Sequence, residues 1–207
     1  MIPKKFVYGW FGGAEKPRYI NKCIDSWKRN APEYEIVELN ESTWDIEHSA
    51  YAQKAYEEKK FAFVWDEARI RWLRDNSGIT LDADIEVLKP FDPFLFHGGF
   101  TSCESSGRWI SAVIAAHEQS EWIKKIYDYY ENNSFKYDPK TITNTVIIDA
   151  INKSMFEKND GKIIYLNGGI AIYPREYFEA KNWSTGEIEI TPRTYSIHHY
   201  KASWVLK

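Results

Sequence analysis

Apolar positions along this 207-residue chain fall into two kinds of run, short continuous stretches and stripes spaced by three and four. Phe6, Val7 and Tyr8 lie in the first short run, over residues 5–8. It breaks at Gly9-Trp10-Phe11-Gly12-Gly13, which predicts a strand followed by a turn. Over residues 17–30, Ile20, Cys23, Ile24 and Trp27 recur at helical spacing, and Pro32 ends that helix. Residues 34–39 read as a second strand, so the chain opens as β-turn-α-β, the beginning of an α/β layer fold. Helices are predicted over 50–59 and 61–76, the second stopped by Ser77-Gly78. A short apolar strand at 79–81 then runs directly into Asp82-Ala83-Asp84, and extended chain resumes over 85–88. The second half predicts strands at 99–103, 109–116, 162–166, 170–173 and 195–200, with helices at 121–130 and 144–151. No repeat, linker or low-complexity tract interrupts this order. The expectation is one α/β domain over residues 1–207, a mixed central sheet flanked by helices.

Asp82 and Asp84 carry the clearest chemistry. Side chains two apart on an extended chain point the same way, and two neighbouring carboxylates repel unless a cation sits beside them. Hard oxygen donors suit Mg²⁺ or Mn²⁺, ions that also take diphosphate oxygens. Ligands of open α/β sheets bind beyond the carboxyl ends of the strands, where this pair falls. The plain alternative is a solvated loop, since such triplets arise by chance. Apolar runs on both sides, Ile79 to Leu81 before and Ile85, Val87 and Leu88 after, count against it.

Two further groups stand out. In the helix at 61–76, Asp66 and Arg69 lie off the apolar stripe formed by Phe61, Val64, Trp65, Ala68 and Trp72. An i,i+3 surface ion pair is the simple reading. Ile70 and Leu73 make a second apolar face, however, so the helix is expected to be enclosed, and a charged pair there needs a polar partner. At the other end of the chain, His198 and His199 alternate faces on a strand, so one of them at most reaches a metal. Lys201, Ser203 and the Trp204 indole are candidate donors to phosphate oxygens.

Composition narrows the partners. The net charge of -3 gives no basic excess for nucleic acid, and no window approaches the ~18 apolar residues of a membrane span. Cys23 and Cys103 show no framework spacing and are expected as free thiols. The apolar part of the MIPKKFVYGWFGG start is too short for a signal peptide. A cytoplasmic protein is therefore expected, with peripheral attachment to the inner membrane face left open. Aromatic residues make up 16% of the chain, which permits sugar stacking, although core packing accounts for most such rings.

Three segments in order resemble glycosyltransferase family 32, the DXD-type sugar transferases of bacterial surface polysaccharide synthesis. IPKKFVYGWFGG resembles the opening IPKxIHYxWFGG of that family. FAFVWDEARIRWLRDNSGITLDADIEVLKP resembles its core YAFxSDxARxxxLxxxGGIYLDxDVExxKP, and TYSIHHYKASW its closing HHxxxSW. The resemblance spans essentially the whole chain. It implies a GT-A fold with a Rossmann-like half, a nucleotide-sugar donor such as a UDP-sugar, Mn²⁺ or Mg²⁺, and a glycan or lipid-linked oligosaccharide acceptor. By similarity Asp82 and Asp84 hold the metal with His199, and Asp66 and Arg69 contact donor sugar and ribose hydroxyls. Ser203 and Trp204 lie near the diphosphate, and Tyr8 and Trp10 on the nucleotide side. Retention of anomeric configuration is implied, and Glu104, after the strand at 99–103, is a candidate acceptor contact. Trp65 stands where the family commonly has Ser, Asn76-Ser77-Gly78 replaces its double glycine, and His117-Glu118 its His-Pro. These departures leave donor and acceptor choice open.

Two other classes remain to be separated. A haloacid-dehalogenase-type phosphotransferase also uses DxD after a strand. It carries the motif near its N-terminus with Thr or Val where Glu86 stands here, and phosphorylation of Asp82 would reveal it. A non-catalytic carbohydrate-binding protein on the same fold would bind donor without turnover.

Overall fold

The computed structural model describes residues 1–137 and 143–200. Their order is β1 (Lys5–Gly9), α1 (Arg18–Asn30), β2 (Glu35–Leu39), α2 (Ala50–Glu57), α3 (Phe61–Asp75), β3 (Gly78–Leu81), β4 (Ile85–Val87), β5 (Gly99–Ser102) and β6 (Val113–Ala116). After these come α4 (Glu121–Glu131), α5 (Thr143–Ser154), β7 (Phe156–Asn159), β8 (Ile164–Leu166), β9 (Ile170–Tyr173) and β10 (Ser196–His198). Eight strands form one mixed sheet in the order β2-β1-β3-β6-β5-β9-β8-β7, and β4 pairs with β10 in a separate antiparallel ribbon. Strand β1 runs parallel to both β2 and β3, β6 is antiparallel to β3 and β5, and β5 is parallel to β9. The carboxyl ends of β1, β2, β3, β5 and β9 therefore share one edge of the sheet.

Strand alternation divides the core between the two faces of this sheet. Phe6, Tyr8, Ile79 and Leu81 face the α1 side with Trp27, Phe91 and Phe178, whereas Val7 faces α2, α3 and α4. Helix α1 buries Ile20, Cys23, Ile24 and Trp27, as their spacing predicts, and it also grips the ribbon. The Trp27 indole donates to the Ile85 carbonyl at 2.7 Å and the Asn30 amide to the Val87 carbonyl at 2.8 Å, while the Ser26 hydroxyl accepts from the Val87 N–H at 2.9 Å. These three bonds fix β4, and β4 in turn fixes β10 beside the Asp82–Asp84 turn.

Helix α3 is enclosed on nearly every side, with Phe63 to Trp65 and Glu67 to Leu73 all buried. Its i,i+4 pair Glu67–Arg71 lies inside the protein. Arg71 Nε stands 3.0 Å from Glu67 Oε1, too poorly aligned for a good hydrogen bond. Burial pushes the Glu67 carboxyl up to about 7 from 4.5, against the opposing pull of Arg71. Between those two values the folded chain keeps a proton that the unfolded chain has released. This group's contribution to stability is therefore full below pH 4.5 and falls as the pH rises through 7. Glu67→Gln is expected to remove that dependence, so its urea midpoint should gain on the parent's as the pH rises from 4.5 to 7. Parallel midpoint curves for the two proteins would contradict it.

Most predicted elements are present, with two differences of substance. The strand expected over 109–116 is only Val113–Ala116. Before it the backbone is diverted: Trp109 N–H donates to Asp149, and the Ala112 carbonyl accepts from the Arg69 guanidinium and the Asp82 N–H. Strand β7, a polar edge strand with all four residues exposed, was not expected from an apolar pattern it does not have.

Candidate metal centre

Asp82 and Asp84 do converge, though not by strand alternation. The chain turns after β3, the Asp82 carbonyl accepting from the Ile85 N–H at 3.0 Å. This turn folds the triplet back toward the ribbon. The third member is His198, on β10 opposite Ile85. Its Nε2 lies 3.3 Å from Asp84 Oδ1 and 3.8 Å from Asp82 Oδ2. One donor atom from each of Asp82, Asp84 and His198 falls within 4.8 Å of the others. His199, the histidine that the closing motif singled out, points elsewhere, its Nε2 2.9 Å from Glu86 Oε2. Adjacent strand residues face opposite ways, and the register of β10 on β4 turns His198 toward the aspartates.

Arg69 holds Asp82 in place. It is 3% exposed. Nη1 donates to Asp82 Oδ1 at 2.7 Å, Nε to Thr80 Oγ1 at 3.1 Å, and Nη2 to the carbonyls of Thr80 at 3.1 Å and Ala112 at 2.5 Å. The Trp65 indole donates to the same Asp82 oxygen at 3.0 Å. Oδ1 is thus filled by two donors, and Oδ2 is left toward His198. The partner of Arg69 is Asp82 across the helix–strand gap, not Asp66 one turn away. Asp66 is half-buried on α3, near enough to Tyr51 for its charge to add to the effect of burial in raising that phenol.

Trp65 also explains the glycine that ends β1. A Cβ on Gly9 would lie 2.4 Å from Trp65 Cε3, so the ring occupies space that only glycine leaves free. Tyr8 is a core residue, buried against Trp27 with its hydroxyl donating to Glu38, so its ring is not open to a ligand. Trp10 remains partly exposed at the end of β1, its indole donating to the Ala14 carbonyl at 2.7 Å. Glu104 lies beyond β5 at the same sheet edge. Its Oε1 accepts from Ser106 at 2.5 Å and from Arg108 at 3.3 Å, and burial raises its carboxyl despite those donors. Lys201, Ser203 and Trp204 lie outside the described residues.

Burial of the His198 ring works against its charge. The Asp84 carboxylate and then Glu179 outweigh burial and hold the imidazole well above its ordinary range. A cation is therefore favoured at this spot, whether a proton on the ring or a metal between the three donors. Two carboxylates and one imidazole can hold a divalent metal ion, and three protein donors leave positions for other oxygens. Glu179 escaped the sequence reading, because a single glutamate between Phe178 and Ala180 has no motif around it.

Two solved structures share this architecture. The "PaToxG Glycosyltransferase" aligns with a TM-score of 0.55 at 18% identity, covering 74% of this chain and 68% of its own. A glycosyltransferase involved in glycosylation of the major capsid of PBCV-1 aligns with a TM-score of 0.51 at 11% identity, covering 97% and 95%. At such identities the likeness establishes the fold, the GT-A type of glycosyltransferases. No curated protein sequence matches the chain. The family model described as "Capsular polysaccharide synthesis protein" does match, over residues 3–167. With that match spanning most of its length, the chain belongs to the capsular polysaccharide synthesis protein family and carries a GT-A-type glycosyltransferase fold.

Proposed function

We infer that the chain is a metal-dependent, retaining glycosyltransferase of the family 32 kind. It moves a hexose from a nucleotide diphosphate sugar, such as a UDP-sugar, to a glycan or lipid-linked oligosaccharide. The observation that carries this reading is the meeting of Asp82, Asp84 and His198 at the carboxyl edge of a glycosyltransferase sheet. In this reading residues 1–207 form one catalytic unit, working in the cytoplasm with access to the inner membrane face. No helix among the described residues is long and apolar enough to cross a membrane.

The bond to be broken joins the anomeric carbon to the β-phosphate, so negative charge gathers on the departing diphosphate. A bound Mn²⁺ or Mg²⁺ would supply Lewis-acid stabilisation of that charge, worth several kcal/mol. The protein's own part is to hold three donors in place. Asp84 and His198 present one atom each, and Arg69 with Trp65 lock Asp82 so that Oδ2 stays available. Arg69 thereby serves the metal site through Asp82, beyond the sugar contact implied by resemblance. Asp66 is assigned to donor hydroxyls, Trp10 to the nucleotide side, and Lys201, Ser203 and Trp204 to the diphosphate. Glu179, the carboxylate behind His198, is 1% exposed and accepts hydrogen bonds at both oxygens, so it is no nucleophile for a double displacement. Front-face attack, with the leaving phosphate taking the acceptor's proton, suits a site built this way.

A screen of nucleotide sugars for nucleotide release, with Mn²⁺ and with chelator, tests the reading. Release from at least one UDP-sugar that chelation stops is the expected result. Donor binding without release across a broad acceptor panel would favour a non-catalytic carbohydrate-binding role instead.

A further inference from the structure

Resting on the reading that Asp82, Asp84 and His198 hold a divalent ion, we propose that Glu179 is the positioning residue that fixes His198 as an Nε2 ligand. Its carboxylate lies behind the ring, Oε1 3.4 Å from His198 Nδ1 on the side away from the aspartates; the two are not aligned as a hydrogen bond, and this buried nitrogen has no hydrogen-bond partner among the described residues. An anionic acceptor there keeps the proton on Nδ1 and leaves the Nε2 lone pair facing Asp82 and Asp84.

Both carboxylate oxygens of Glu179 are held by donors. The Ala112 N–H donates to Oε1 at 2.9 Å and the Tyr200 hydroxyl to Oε2 at 2.6 Å. The backbone is pinned as well: Glu179 N–H donates to the Arg175 carbonyl at 2.8 Å. Arg175 Nη1 returns to the carbonyls of Glu179 and Ala180 at 3.1 Å each. Arg175 therefore spends this nitrogen on carbonyls, and among the described residues no Lys or Arg forms an ion pair with the Glu179 carboxylate. A buried carboxylate so placed needs hydrogen-bond donors, and the Nδ1 side of the His198 ring is the group beside it.

Tyr200 supplies an independent sign. Its φ of 51° lies in the left-handed region, which a bulky side chain rarely adopts. That turn brings its ring to 3.9 Å from the His198 ring, centroid to centroid, and its hydroxyl onto Glu179. Backbone strain of this kind persists where surrounding contacts over-determine it, and it concentrates at functional sites. Tyr200, Glu179 and His198 thus form one braced unit ending at the proposed ligand atom.

Mn²⁺ binding to the full chain in the presence of UDP, followed by the electron paramagnetic resonance of free Mn²⁺, tests the proposal. Glu179→Gln keeps the volume and an acceptor for the Ala112 N–H, and it is expected to weaken Mn²⁺ binding by roughly 10- to 100-fold. Turnover of that variant at saturating Mn²⁺ should return to within a few-fold of the parent, whereas a merely structural role would depress it throughout. Tyr200→Phe, which leaves the carboxylate in place, should weaken binding less, and it reports on the same brace should Glu179→Gln fail to fold. Unchanged Mn²⁺ affinity in both variants would overturn the role of Glu179 while leaving the metal site standing. A parent chain that binds no Mn²⁺ would instead remove the metal reading on which the proposal rests.

Discussion

Asp84→Asn is expected to abolish metal-stimulated nucleotide release, a fall of roughly 100- to 1,000-fold, with the fold intact. Asp84 Oδ1 is the oxygen nearest His198 Nε2, at 3.3 Å, and the side chain lies in a turn rather than in the core. An amide of the same shape can occupy the turn, whose bond runs between the Asp82 carbonyl and the Ile85 N–H. It cannot supply the charge that holds a divalent ion. Release measured over a range of Mn²⁺ concentrations, beside a circular dichroism spectrum, checks both halves of the statement. Near-parent turnover with Asn at this position would eliminate the proposed site.

Arg69→Met is expected to cost about 3 kcal/mol of stability and most of the activity. The guanidinium satisfies the Thr80 and Ala112 carbonyls and one oxygen of Asp82 from a position that is 3% exposed. Methionine fills much of the volume but takes one donor from each of those acceptors, leaving the Ala112 carbonyl the Asp82 N–H and Asp82 Oδ1 the Trp65 indole, so Asp82 is held less firmly. Lysine keeps the charge but has no planar fork to reach three acceptors at once, so Arg69→Lys should rescue only part of the loss. Urea unfolding of the three proteins gives the first number, and metal-stimulated release the second. A midpoint for the methionine variant equal to the parent's would show that Arg69 is dispensable to the frame.

Helix boundaries and the strand that leads to Asp82 could be read from the chain because their signals are local. The spacing of Ile20, Cys23, Ile24 and Trp27, the stop at Ser77-Gly78 and the apolar run into the triplet each depend on residues close in sequence. The failures share the opposite cause. The strand expected from residue 109 shrinks because Arg69, 43 positions before Ala112, claims the Ala112 carbonyl. Tyr8, grouped with Trp10 as a ligand contact, is buried because strand alternation turns it toward Trp27. Asp66 and Arg69 look like a pair on a helical wheel, yet Arg69 binds an aspartate that only the packing of α3 on β3 brings near.

By itself the chain determined the order of elements, the α/β class and the two aspartates at a strand's carboxyl end, since each follows from neighbours a few residues apart. Only the tertiary structure decided which histidine joins them. The two candidates are adjacent and chemically identical, and what separates them is register: β10 pairs Ile85 with His198, while α1 fixes β4 through Ser26, Trp27 and Asn30. Glu179 belongs to the same class of fact. A lone glutamate acquires a role only when folding buries its charge against a ring 19 positions further on, and no local pattern records that approach.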